Sequence, residues 1–283
     1  MLDLMFDALL DTAKLLPFLY LTYLAMEYLE HKLEGRTDTL IKKAGRLGPL
    51  CGGLLGVVPQ CGFSAAASSL YAGRVITLGT LLAIFLSTSD EMLPIMISRQ
   101  TPAVQVLKIL GLKVLIGTAA GFLTDLVCRR RGRQHTGSIG ELCSREHCHC
   151  GGHRIALAAL RHTAGIALFL LLFTFGINLV LFLVGEDALA ALLLGRPVLG
   201  IFLSGLVGLI PNCAASVALT TLYLDGLLSF GSVMAGLLVS AGAGLLVLLR
   251  INRNARENVG IILLLYGIGV ACGGLLDLLH IAV

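Results

Sequence analysis

Two cysteines, Cys61 and Cys213, each follow a proline and an amide, Pro59-Gln60 and Pro211-Asn212, and stand 152 residues apart inside apolar stretches. Pro is favoured in the first turn of a helix, where its missing N–H costs nothing. Pro59 and Pro211 are therefore expected to open new half-helices after a break, each with a Cys in the first turn. Thiols at helix N-termini are the reactive, metal-binding kind, and thiolates select soft or borderline metals and metalloids. Gln60 and Asn212 each add an acceptor oxygen and N–H donors. Ser64 and Ser216 follow one turn later. The expected substrate-binding set is Gln60, Cys61, Ser64, Asn212, Cys213 and Ser216. A single Pro-x-Cys reads first as a kink beside a small buried side chain; two in register read as a site.

A second constellation is Ser87-Thr88-Ser89-Asp90-Glu91, in the middle of an apolar stretch. Each acid deep in a membrane helix costs about 2.5–3.5 kcal/mol even on the lenient insertion scale, so a partner is implied: a cation, a proton or a basic residue. Asp90 and Glu91 are the expected coupling or metal residues. The bland alternative places them at the membrane interface. A third constellation is Cys143, His147, Cys148, His149, Cys150 and His153. Six Cys and His within eleven residues signal metal affinity. Their spacing is not that of a rigid structural zinc site, so a capture or sensing loop is expected, against a solvated linker with incidental ligands.

These residues must be positioned by a repeat. Residues 53–71 (GLLGVVPQCGFSAAASSLY) align without gaps on 205–223 (GLVGLIPNCAASVALTTLY), with nine of nineteen positions identical. At the same offset, Gly79 meets Gly231, and Gly117-x3-Gly121-x3-Asp125 meets Gly269-x3-Gly273-x3-Asp277. Paired interrupted segments in corresponding halves point to a transporter's binding site. Asp125 and Asp277, near segment ends, read first as interfacial residues that cap or pair. Repeat 2 answers the acids of repeat 1 with Val239-Ser240-Ala241-Gly242-Ala243, so the symmetry is broken there.

Composition fixes the class. Hydrophobic residues make up 57% of 283 and charged residues 13%, about half the charged share of a soluble domain; mean hydropathy is +0.91. Apolar runs of spanning length recur at about 5–29, 48–72, 75–98, 105–128, 157–184, 198–223, 228–250 and 258–280. The net charge of +4 reflects basic loops, not nucleic-acid binding. Asp3, Asp7 and Asp11 in place of a basic n-region argue against a cleavable signal peptide.

Each repeat has four apolar segments, a to d. Were segment b a full span, Arg36, Lys42, Lys43, Arg46, Arg250, Arg253 and Arg256 would lie outside, with Arg129, Arg130, Arg131 and Arg133 inside. With b as a re-entrant hairpin, all of these are cytoplasmic, and only Arg99, Lys108 and Arg196 lie outside, as the positive-inside rule prefers. The expected fold is therefore an all-α polytopic membrane protein with two inverted-topology repeats. Each repeat has three spanning helices and a re-entrant helical hairpin. The expected divisions are 1–128 (membrane repeat 1), 129–153 (cytoplasmic Cys/His-rich loop) and 154–283 (membrane repeat 2).

With these residues in hand, the chain resembles the ten-helix heavy-metal exporter family of bacteria, whose members carry arsenic-efflux or manganese-transporter labels. The resemblance rests on Gly56-Val-Val-Pro59-Gln60-Cys61-Gly-Phe-Ser64, Ser87-Thr-Ser-Asp90-Glu91, the Cys/His-rich loop and Gly-Leu-Ile-Pro211-Asn212-Cys213. It implies metal or metalloid efflux across the bacterial plasma membrane. No Gly-x4-Gly-Lys-Ser/Thr motif occurs, so an ion gradient or a partner ATPase must supply energy. The expectation is a secondary transporter and not an enzyme, with no cofactor required and a metal ion as substrate. Its partners are the lipid bilayer and that ion, not nucleic acid; a two-fold homodimer is compatible with the chain. The competing class is a transmembrane thiol–disulfide electron carrier using Cys61 and Cys213. That reading leaves Asp90, Glu91 and the metal-type loop idle.

Overall fold

The computed structural model describes residues 9–10, 12–13, 16–17, 19–21, 24, 47–58, 61–89, 91–130, 155–184, 197–252 and 254–280. Among the described residues every element is helical: α1 (Gly48–Gly56), α2 (Cys61–Ala72), α3 (Leu78–Ser87), α4 (Met92–Ser98), α5 (Ala103–Arg130), α6 (Ile155–Val184), α7 (Pro197–Gly208), α8 (Cys213–Leu224), α9 (Phe230–Val239), α10 (Ala243–Ile251) and α11 (Ala255–Leu278). Among the described residues, four stretches are long and apolar enough to cross a membrane: Leu78–Ser98, Ala103–Arg130, Phe230–Ile251 and Ala255–Leu278. The chain is a multi-pass membrane protein.

Segment c, expected as one helix in each repeat, is broken in both. In repeat 1, Ser87 and Thr88 turn their hydroxyls back onto Ala83 O and Ile84 O at 2.7 Å each, a habit that loosens the next turn. Thr88 then leaves helical geometry at ψ 130°. In repeat 2 the chain turns at Gly242, with φ 54° and ψ −142°, a conformation only glycine adopts readily. The half-helices α3 and α9 are buried almost throughout. By contrast, α5 and α11 carry Leu107, Leu115, Leu123, Leu263 and Leu275 on exposed faces, as a lipid-facing shell must.

Small residues set the register. A side chain at Gly79 would collide with Gly121 O and Asp125, and one at Gly117 with Ala83 O, so α3 and α5 run antiparallel in close contact. Gly231 meets Gly273 and Asp277, and Gly269 meets Ala235 and Val239, giving α9 and α11 the same pairing. Such approach of backbones is the usual basis of helix association in lipid. Gly48, Gly52 and Gly56 face Thr80, Thr80 with Ile84, and Ser87 in turn, so α1 and α3 run parallel although α2 lies between them in the chain. The matching pair, α7 and α9, touches at Gly208 and Gly236.

The second arm of each segment b packs on the other half of the molecule. Gly244 of α10 abuts Ser64 of α2, and Ser68 Oγ donates to Gly244 O at 2.6 Å. Correspondingly, α8 packs on α4. Residues i and i+152 thus exchange partners between the halves.

Candidate functional site

Cys61 and Cys213 begin α2 and α8, and their Sγ atoms lie 3.3 Å apart as two thiols. The expected meeting of the two cysteines is present. Asn212 stands in extended geometry as the N-cap of α8, and its side-chain oxygen accepts from Ala214 N–H at 3.3 Å. Pro211 therefore precedes the cap and does not occupy the first turn. The cap satisfies an orphan N–H by itself, which engages the Asn212 oxygen in starting the helix. Pro59 and Gln60 lie outside the described residues.

Ser64 Oγ donates to Cys61 O and Ser216 Oγ to Cys213 O, each at 2.8 Å. Both serines are buried. They hold the peptide of the cysteine one turn back and so position the thiols. Glu91 is partly buried at the start of α4 and makes no side-chain cap bond. Asp90, and the loop residues Cys143, His147, Cys148, His149, Cys150 and His153, lie outside the described residues. Among those described, no group of three or more Cys, His, Asp or Glu gathers as a metal site.

Asp125 and Asp277 act as caps. Asp125 Oδ1 accepts from Gly79 N–H at 2.8 Å and Oδ2 from Thr77 Oγ1 at 2.7 Å. Asp277 repeats this with Gly231 N–H and Ser229 Oγ, both at 2.7 Å. Each carboxylate sits at the positive end of a half-helix, where the dipole favours it.

Two features escaped the sequence reading. The first is Lys113 of α5, 1% exposed, whose ammonium donates to Thr88 O and, at 3.1 Å, to Leu237 O. Its counterpart is Leu265, so the repeat alignment hides it. The second joins the halves at their ends. Tyr71 Oη donates to Glu257 Oε1, and Arg74 grips both Glu257 oxygens at 2.8 and 3.1 Å. That hydrogen bonding pushes the Arg74 guanidinium above its already high value. In the other half Tyr223 Oη accepts from Gln105 Nε2 at 3.3 Å. The signal was available: Tyr71 aligns with Tyr223 and Gln105 with Glu257 at the common offset.

The family model ArsP_2, described as "Putative, 10TM heavy-metal exporter", matches residues 2–172. That stretch holds Cys61 and Lys113 and ends before Cys213. No curated protein and no solved structure matches the chain.

Proposed function

The chain belongs to the ArsP_2 family of heavy-metal exporters, and on that premise we propose that it is a secondary transporter exporting a soft metal or metalloid ion through the Cys61–Cys213 pair. The observation that carries this is the 3.3 Å approach of two thiols from opposite halves. A bound ion with sulfur bonds of about 2.3 Å at tetrahedral angles would want the sulfurs roughly 3.8 Å apart, a small adjustment. Arsenite, antimonite and soft divalent ions are the substrate class; Asp90 and Glu91 couple export to a proton or another cation. Gln60, Asn212, Ser64 and Ser216 shape the surroundings, and the loop from Cys143 to His153 collects the ion on the cytoplasmic side of a bacterial inner membrane.

The same reading makes segments b re-entrant hairpins in inverted repeats. The parallel run of α1 and α3 supports the first point: α2 has to return to the level at which α1 began. The second is supported by helix length. Arg74, three residues before the Thr77 that bonds Asp125, binds Glu257. From Glu257 the helix α11 runs about 30 Å to Asp277. The two aspartates are then at opposite ends, as inverted halves require. Alternating access would rock one repeat against the other around the thiols.

The thiol distance also favours a second reading, in which Cys61 and Cys213 pass electrons: two thiols lose two protons and two electrons to form a disulfide, and an acceptor takes them. Metal resistance separates the two. Expression in a metal-sensitive bacterium should lower cell content of arsenite or Cd²⁺, and Cys61→Ser and Cys213→Ser should each abolish this. Absence of a phenotype across arsenite, Mn²⁺, Zn²⁺ and Cd²⁺ overturns the exporter.

A further inference from the structure

The ammonium of Lys113 lies between the C-terminal ends of two half-helices that correspond across the repeat. Thr88 is the C-cap of α3, and Leu237 belongs to the last turn of α9; both offer Lys113 a main-chain carbonyl. A helix C-terminus leaves its last carbonyls without intrahelical partners and carries roughly half a negative charge. Two such ends converging in an apolar interior make a cation site. In membrane proteins, half-helix C-termini and unwound carbonyls are the groups that hold sodium ions and protons.

Two further observations point the same way. Ser240, the C-cap of α9, is 3% exposed, and its Oγ has no hydrogen-bond partner. Glu91, the N-cap of α4 on the far side of the same break, adds an acidic residue there. The counterpart of Lys113 is Leu265, fully buried, so one positive charge serves both ends.

We propose that these two helix ends form an alkali-cation site whose cation is supplied covalently, as the Lys113 ammonium. The wild-type chain then needs no sodium or potassium ion at this point. Removing the ammonium while leaving the carbonyls should turn the site into one that takes a free ion. The inference concerns the two breaks alone, holds whatever the cargo at the thiols, and takes a proton, not an alkali cation, as the coupling ion of the proposed exporter.

The test is thermal unfolding of the full chain in nanodiscs, followed by circular dichroism. NaCl, KCl and N-methyl-D-glucamine chloride are compared at equal ionic strength. Wild type and Lys113→Arg should unfold at the same temperature in all three. Lys113→Ala should melt several degrees lower in N-methyl-D-glucamine and recover in Na⁺ or K⁺, the recovery growing with the logarithm of concentration. Whichever ion restores it identifies the preference. Lys113→Gln, which keeps a donor but no charge, should behave as Lys113→Ala does. An equal loss in all three salts, or cation dependence in wild type, overturns the proposal. So does failure of both neutral variants to accumulate in cells, where both ions are supplied.

Discussion

Gln105 and Glu257 are the same position in two copies of one unit, and each binds the tyrosine that ends the opposite copy's second arm. Glu257 takes Tyr71, and Gln105 reaches Tyr223. The geometry is symmetric but the chemistry is not. One contact is a carboxylate gripped by Arg74 as well; the other is a neutral amide-to-phenol hydrogen bond at 3.3 Å. Arg74 even accepts a left-handed backbone, φ 59°, where the other copy has Gly226 at φ 74°.

Glu257→Gln should make the two ends chemically alike. Hydrogen bonds to charged groups contribute about 1.5–3 kcal/mol, so losing the charge should weaken this closure by tenfold or more. The measurement is labelling of Cys61 by a membrane-impermeant maleimide from each side. Labelling should rise from the side of Arg74 and stay flat from the other. An unchanged rate means the contact does not hold the molecule shut.

Mild oxidation should link Cys61 to Cys213, and a short thiol-specific crosslinker should do the same. Cys61→Ser or Cys213→Ser should remove the link, and arsenite or Cd²⁺ should protect against it. Proteolysis in the loop between the repeats, followed by non-reducing electrophoresis, reads this directly. A link that forms at the same rate with and without metal would argue for electron transfer over metal binding.

Gly79→Ala and Gly231→Ala should each destabilise by about 1–3 kcal/mol or more, because the added carbon runs into backbone carbonyls that cannot move aside. Gly111→Ala and Gly260→Ala meet nothing within 4 Å and should be neutral or slightly stabilising through helix propensity. Thermal unfolding of the four variants in one detergent gives the contrast.

Asp125→Asn and Asp277→Asn should cost similar amounts, about 1–3 kcal/mol each, since either loses one of its two accepting oxygens. At permissive temperature both should retain metal export. A selective loss of export in one of them, with folding intact, would give that aspartate a transport role beyond capping.

The duplication was legible because its anchors are chemically constrained: Pro-x-Cys, Gly opposite Gly, Asp at a half-helix start. Tight backbone approach tolerates no other residue, so the pattern survives as identity. The breaks in segment c were not legible, since Ser87-Thr88-Ser89 and Ser240-Ala241-Gly242 are common in continuous membrane helices. The two breaks open differently, one through the back-bonded hydroxyls of Ser87 and Thr88 and the other through the positive φ of Gly242. Lys113 was missed for a related reason. A lysine inside an apolar run announces a cost but not its partners, and the partners among the described residues include two carbonyls, which no sequence labels. The caps at Asp125 and Asp277 were legible only in part: an acid near a helix end suggests a capping role, but each aspartate caps a half-helix through an N–H 46 residues earlier in the chain, which no local pattern marks.

The exchange of packing partners between the halves also bears on how the chain is made. The arm α2, with its buried Ser64, Ser68 and Ser69, packs against α10, which is not synthesised until residue 243. A ribosome delivers the first half long before its complement exists. Until then α2 has to wait in the translocon or at the lipid surface with its polar face uncovered. The final step of insertion is therefore the closing of a clasp, and truncations that end before α10 should leave the first half a substrate for membrane quality control.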